Sequence, residues 1–230
     1  MAAVLAANAV VGAASPSARA SSPTALPGRT VESHKIGLVT TSAPSVGGAS
    51  PTSGVGLGAI TISNRNTNAR GTIRLYDDRG VLDPGSAKAF MRLAAHSLDA
   101  SDEACALDVR LVQLVVRASY HFDGAAVSIV SATRRGARGK HGSGEAIDFA
   151  LEGVKAAELA AWLRGTPLAG VGIYTHPKTQ YVHLDVRDRS FHWMDGSPPG
   201  VTWRERRMPD PKQAVRDAAY QASMDLPEAR

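Results

Sequence analysis

The spacing of hydrophobic and polar positions changes period several times along this chain, and each change marks an element. Residues 59–63 and 72–76 alternate apolar and polar positions on either side of Asn64-Arg65-Asn66-Thr67-Asn68, which predicts a β-hairpin closed by Asp77-Asp78-Arg79-Gly80. Asp83-Pro84 sets a capping carboxylate before a proline in the first helical turn, and the helix runs through Lys88 to Ala95. Asp108 caps a second helix reaching about Tyr120, with Leu111, Leu114, Val115 and Ala118 on one apolar stripe. Asp123-Gly124 turns into a strand over 127–130, and 154–163 repeats the helical period. Residues 171–174 and 181–186 predict a second hairpin, joined across His176-Pro177-Lys178-Thr179. There is no internal repeat.

Two of the strands carry chemistry on their polar face. In 146–151 the large residues Ile147, Phe149 and Leu151 share one side, so Asp148 stands on the other. In 181–186, Val182, Leu184 and Val186 face the core and His183 and Asp185 face away from it. His141 lies in the loop entering the first of these strands, where Gly142 and Gly144 allow the chain to fold back toward Asp148. Two imidazoles and one carboxylate give a zinc-type ion three protein ligands and leave a fourth position open, the arrangement of catalytic sites. The predicted fold class is therefore α+β: a small, mostly antiparallel sheet with a mononuclear zinc site on one face and helices packed on the other.

The pattern His-x-x-Gly-x-Ala-x-Asp over 141–148, followed by Val182-His183-Leu184-Asp185, resembles the zinc D,D-carboxypeptidase and murein endopeptidase superfamily. That superfamily also includes VanX-type dipeptidases and the metal domain of hedgehog proteins, and the likeness is greatest to the MepK (YcbK-like) branch. It spans about 59–193 and includes 107–112, 127–134, Gly170-Val171-Gly172-Ile173-Tyr174 and 182–188. The resemblance implies that His141, Asp148 and His183 hold one Zn2+ per chain, that Arg134 faces the substrate, and that the substrate is a peptidoglycan peptide. Its mechanism would be metal-assisted amide hydrolysis. The chain departs from the pattern in two places. Only six residues separate Arg134 from His141, with Gly139 where the family has serine, and Gln180 occupies the position of a catalytic glutamate in VanX-like members. A glutamine accepts no proton at neutral pH. Asp185, on the same strand face as His183, is the candidate general base, with orientation of a histidine as its other role; His176 and Glu145 follow.

Composition divides the chain into four parts. Residues 1–20 hold an Ala-rich apolar run and an Ala18-Arg19-Ala20 cleavage-like site but no positive start, and are read as a truncated signal peptide, with an Ala-rich disordered leader as the alternative. Residues 21–58 are Ser/Thr/Pro/Gly-rich and predict a disordered tether. Residues 59–195 form the zinc peptidase-like domain, and 196–230 a C-terminal extension with no assigned role. Export to the periplasm or cell envelope follows from the leader. No run is long and apolar enough to span a membrane. Cys105 is the only cysteine, so no internal disulfide exists, and it is read as a small core filler.

The net charge of +5 and the group Arg134, Arg135, Arg138 and Lys140 suit either the carboxylates of wall peptides or nucleic-acid phosphates. With aromatic content of 5% and no nucleic-acid motif, nucleic acid is not expected as a partner. Oligomeric state has no signal. His96, His121 and His192 receive no role, Trp193 is a core or rim aromatic, and Ser143 lacks the elbow of a serine hydrolase. The reading that competes with an enzyme is a non-catalytic zinc-containing cell-wall or protein binding module.

Overall fold

A computed structural model describes residues 54–134, 136, 138–201 and 205–227. The leader, most of the proposed tether, and Arg135 lie outside the described residues. The chain runs β1 (Ile60–Asn64), β2 (Arg70–Ile73), α1 (Pro84–Ala94), α2 (Val109–His121), β3 (Val127–Ser131), β4 (Ala146–Leu151), α3 (Ala156–Leu163), β5 (Ala169–Tyr174), β6 (Tyr181–Val186), β7 (Phe191–Asp195), β8 (Arg206–Arg207) and α4 (Gln213–Ala218), then a 3-10 turn at Ala222–Asp225. The described strands form one sheet in the order β2-β1-β3-β4-β6-β5-β7-β8. Only the β1–β3 and β5–β7 pairings are parallel.

Both helix starts follow from the capping chemistry in the sequence. The Asp83 carboxylate accepts from the Ser86 N–H at 2.8 Å, and Asp108 accepts from Arg110 N–H at 2.8 Å, each satisfying an amide that the first helical turn leaves without a partner. The first hairpin is displaced from its expected register. Ile60 pairs with Ile73 and Ser63 with Arg70, so β2 ends before Leu75 and Tyr76. Asn64, expected in the turn, instead ends β1. Its buried amide donates to the Leu93 and Ala95 carbonyls at 3.0 and 2.8 Å, tying the hairpin to the end of α1.

The core lies on the helix side of the sheet. Ile129, Ile147, Phe149, Val182 and Leu184 from the strands pack with Leu111, Leu114 and Val115 of α2 and Leu159 and Leu163 of α3 in one buried cluster. Asp148, His183 and Asp185 project from the opposite face, as period-two alternation requires.

The sheet is larger than expected, because it continues past residue 195. β8 pairs with β7 through Trp193–Arg207 and Met194–Arg206. The segment beyond β8 is tied down by two buried or half-buried carboxylates. Asp217 accepts from the Leu168 and Ser190 amides at 2.8 and 2.9 Å. Asp225 accepts from Arg110 Nε at 2.7 Å, while the same guanidinium donates to the Leu168 and Pro167 carbonyls at 2.8 and 2.7 Å. Residues 205–227 thus fasten α2 to the start of β5 and belong to the folded unit.

Candidate metal centre

One irregularity of strand β3 positions a wall of the site. Ile129 pairs with Phe149, but the next pairing is Ser131 with Asp148, so one extra residue bulges from β3. The shift turns Ser131 onto the polar face and carries Ala132 and Arg134 toward Asp148. The loop that follows is pinned back by the Arg134 N–H donating to the His141 carbonyl at 3.1 Å. Gly144 adopts φ 76°, as a turning residue in this loop was expected to do, and its carbonyl accepts from the Asp108 amide at 2.9 Å.

Across the sheet, Ser131, Asp148, His183, Gly172 and Trp193 form one cross-strand row on the polar face. His141 Nε2, Asp148 and His183 Nδ1 converge there, with candidate ligand atoms all within 4.8 Å of one another. His183 Nδ1 lies 2.9 Å from Asp148 Oδ1, and His141 Nε2 lies 3.3 Å from His183 Nδ1 and 3.5 Å from Asp148 Oδ2. The three residues expected as ligands are therefore brought together, in an arrangement that could hold one metal ion.

The contacts behind the two rings set which nitrogen faces the centre. His141 Nδ1 sits 2.7 Å from the Ala132 carbonyl, which can only accept, so Nδ1 donates there and Nε2 is the nitrogen turned to the centre. His183 Nε2 lies 3.0 Å from Asp185 Oδ2, which in the same way turns Nδ1 to the centre. Asp185 is 1% exposed, and its two oxygens also receive Arg187 Nε and Nη2. A carboxylate engaged on both oxygens supports the orienting role for Asp185 over the role of general base.

Burial would raise the Asp148 carboxyl, but hydrogen bonds from His141 and His183, with the attraction of those rings, hold it at about 2. Burial would lower His183, yet hydrogen bonds to Asp148 and Asp185 raise it to about 9. In the metal-free protein His183 is thus an imidazolium donating to a carboxylate at each nitrogen, and a metal ion bound here would take the place of its Nδ1 proton. Titrating a divalent ion into metal-free protein at pH 7 should release about one proton from this ring, falling away as pH rises through about 9. Calorimetry in buffers of different ionisation enthalpy measures it; no buffer dependence at pH 7 would contradict the assignment. Stability has the same sign: the raised pKa stabilises the metal-free fold below the ring's ordinary 6.5, and that contribution is lost as pH approaches 9.

Arg134 reaches the rim. Its Nε donates to Ser131 Oγ at 2.8 Å, and Nη2 lies 3.7 Å from Asp148 Oδ2, with the side chain 58% exposed. The other candidates are engaged elsewhere. Glu145 accepts from Lys140 at 2.9 Å and from Ser143. His176 Nδ1 accepts from the Lys178 amide inside the β5–β6 turn, and Gln180 donates to the Thr175 and His176 carbonyls. His96 is exposed, His121 stacks on Trp162, and His192 is buried on the helix face; none approaches the centre. Cys105 is a buried filler, as expected.

Trp193, read from the sequence only as a core or rim aromatic, and Arg187, which received no role there, both build the site. Trp193 packs against His183, ring centroids 4.9 Å apart, and lies flat over Gly172, where any Cβ would collide with the indole. Arg187 similarly crosses Gly170 to reach Asp185 and spans the Phe191 and Trp193 rings at 5.6 and 5.8 Å. The signal available was the period-two pair Gly170 and Gly172, which strips side chains from one face of β5 and marks a close approach. No family model, curated protein or solved structure matches the chain.

Proposed function

We propose that this chain is a zinc-dependent peptidoglycan hydrolase that cleaves an amide bond in murein stem peptides or crosslinks. The observation that carries the reading is the pair of hydrogen bonds behind the ligands, His141 Nδ1 to the Ala132 carbonyl and His183 Nε2 to Asp185, which orient both imidazoles toward Asp148. These residues suit zinc, whose protein sites use imidazole and carboxylate donors and leave one position open when catalytic. Bound there, zinc would polarise a carbonyl and lower the pKa of water from 15.7 toward about 7.

The chain's own groups supply positioning and charge. Asp148 stays ionised across the physiological range and would neutralise part of a bound ion's charge. Arg134, held at Nε by Ser131, keeps terminal nitrogens to bind a peptide carboxylate or a developing oxyanion in a planar fork. Asp185, itself clamped by Arg187, orients His183. Replacing Asp185 by asparagine removes the charge behind the ring while keeping its shape, and should weaken zinc affinity about 10–100-fold. Competition with a chromophoric chelator measures this, and an unchanged affinity would remove Asp185 from the ligand's support.

Export to the cell envelope fits this substrate, and no described helix is long and apolar enough to cross a membrane. A second reading, a zinc-containing binding module without catalysis, is favoured by the state of the candidate bases: Asp185 and Glu145 are both engaged by cations, and Gln180 stands where VanX-like members carry a glutamate. Digestion of purified peptidoglycan by the zinc-loaded full chain, beside His183→Ala, separates the two. Muropeptide products from wild type alone are expected. Zinc retained without any product would establish the binding module instead.

A further inference from the structure

The sheet face beside the metal row carries a second, ordered set of polar groups. Ser128 of β3 lies opposite Ala150 of β4, and Tyr181 of β6 pairs with Tyr174 of β5, which pairs in turn with Asp195 of β7. Because Phe149 pairs with Val182, the next position, Ala150, falls beside Tyr181, so these residues make one row parallel to the metal row. The small Ala150 leaves the floor low, and the Tyr174 and Tyr181 rings adjoin at 4.4 Å between centroids.

Two guanidiniums are anchored along the edge of this floor in the same way. Arg65 Nε donates to Ser128 Oγ at 2.9 Å, and Arg134 Nε donates to Ser131 Oγ at 2.8 Å, the two serines flanking the β3 bulge. The Arg65 backbone is fixed as well. Its N–H donates to the Ile129 carbonyl at 3.0 Å, and the neighbouring Asn66 amide donates to the Val130 carbonyl at 2.7 Å. An exposed arginine ordinarily loses rotamer freedom when it is held, and here three bonds hold its root and Nε, while among the described residues no hydrogen bond engages its terminal nitrogens. Among the described residues Arg65 has no carboxylate partner, and the one beside Arg134 is the metal-facing Asp148. Ser128 pairs with Ala150 and Ser131 with Asp148, two residues apart on one face of β4, so the two anchored guanidiniums are neighbours on that face.

We propose that Arg65 and Arg134 form a two-guanidinium clamp for a substrate carboxylate, on the Tyr181 side of the metal ligands. The hydrolase reading supplies the substrate class, a peptide with a free carboxylate, and the clamp adds where that carboxylate sits. Two like charges held near each other at one edge repel until an anion lies between them, and each can donate a planar pair of N–H groups to a carboxylate oxygen pair.

The test uses the zinc-loaded full chain and two probes that differ only in charge, N-acetyl-D-alanine and its primary amide. Binding is followed through the arginine Nε–H NMR signals, assigned with Arg65→Gln and Arg134→Gln. The acid should bind about tenfold more tightly than the amide and shift both arginine signals. Arg65→Gln should bring the acid-to-amide ratio to about two or less without altering zinc affinity, and Arg65→Lys, which keeps charge but not the fork, should restore only part of it. An unchanged ratio in Arg65→Gln overturns the clamp, even where the acid binds through zinc itself, and so does failure of wild type to distinguish acid from amide. Peptidoglycan digestion by the same preparations reports on the enzyme separately. Products with an unchanged ratio sink the clamp alone, whereas clamp behaviour without products sinks the hydrolase reading alone.

Discussion

Replacing His183 by alanine should weaken zinc binding by about a thousandfold and abolish any hydrolysis. The magnitude follows from structural zinc sites, whose four ligands together give roughly 10–16 kcal/mol, so each ligand accounts for about 2.5–4 kcal/mol. His183 should stand at the upper end. It is 8% exposed, lies between Asp148 and Asp185, and is the one ligand with a charged group behind it. The variant also removes the imidazolium that pairs with both carboxylates in the metal-free fold, leaving Asp148 and Asp185 buried with fewer partners. Melting temperature at pH 6 should therefore drop even without zinc, and the drop should shrink toward pH 9, where wild type itself loses this pairing. A chelator competition and a melting series across pH measure both effects. Retention of near wild-type zinc affinity would show that the ion is held elsewhere.

Asp225→Ala is the second large effect, and it is one of stability. Asp225 is 2% exposed and pairs with Arg110, whose side chain is 18% exposed. Removing one partner of such a pair leaves a buried charge uncompensated, at about 3–5 kcal/mol. For a chain of this size that corresponds to roughly 6–20 °C in melting temperature. The Arg110 guanidinium would keep its bonds to the Leu168 and Pro167 carbonyls, which places the loss toward the lower part of this range. Tyr220 also donates to Asp225 and would lose that acceptor. A double-mutant cycle with Arg110→Met isolates the pair energy, and the double variant should recover part of the stability because two apolar side chains leave no charge stranded. A loss below about 1 kcal/mol would mean that the C-terminal segment is dispensable to the fold.

How much of the site could be read in advance differs from residue to residue. His141, Asp148 and His183 were legible because strand alternation decides the face of each strand residue and the glycines of the 142–144 loop allow the return of His141. The cap residues Asp83 and Asp108 were legible for a similarly local reason, since a carboxylate before a helix meets amides two and three residues on. Ser131 was not, because its place opposite Asp148 depends on a bulge that alternation alone would miss. Asp185 was placed on the correct face, but the residues at its two oxygens, which decide what it can do, came only with the fold. β8 is two arginines long and has no apolar pattern to detect, so its place at the sheet edge comes from pairing with β7.

The sequence by itself determined the quantities that depend on a few neighbouring residues: where helices start, which side chains share a strand face, and that three metal-competent groups lie on polar positions. Tertiary structure decided what depends on partners far along the chain. Arg110 meets Asp225 across 115 residues, Arg65 meets Ser128 across 63, and Trp193 covers Gly172 only because β5 and β7 pair in parallel. Backbone geometry fixes periodicity within each element, whereas strand order and register are settled by which faces can be buried together, a free-energy balance of the whole chain.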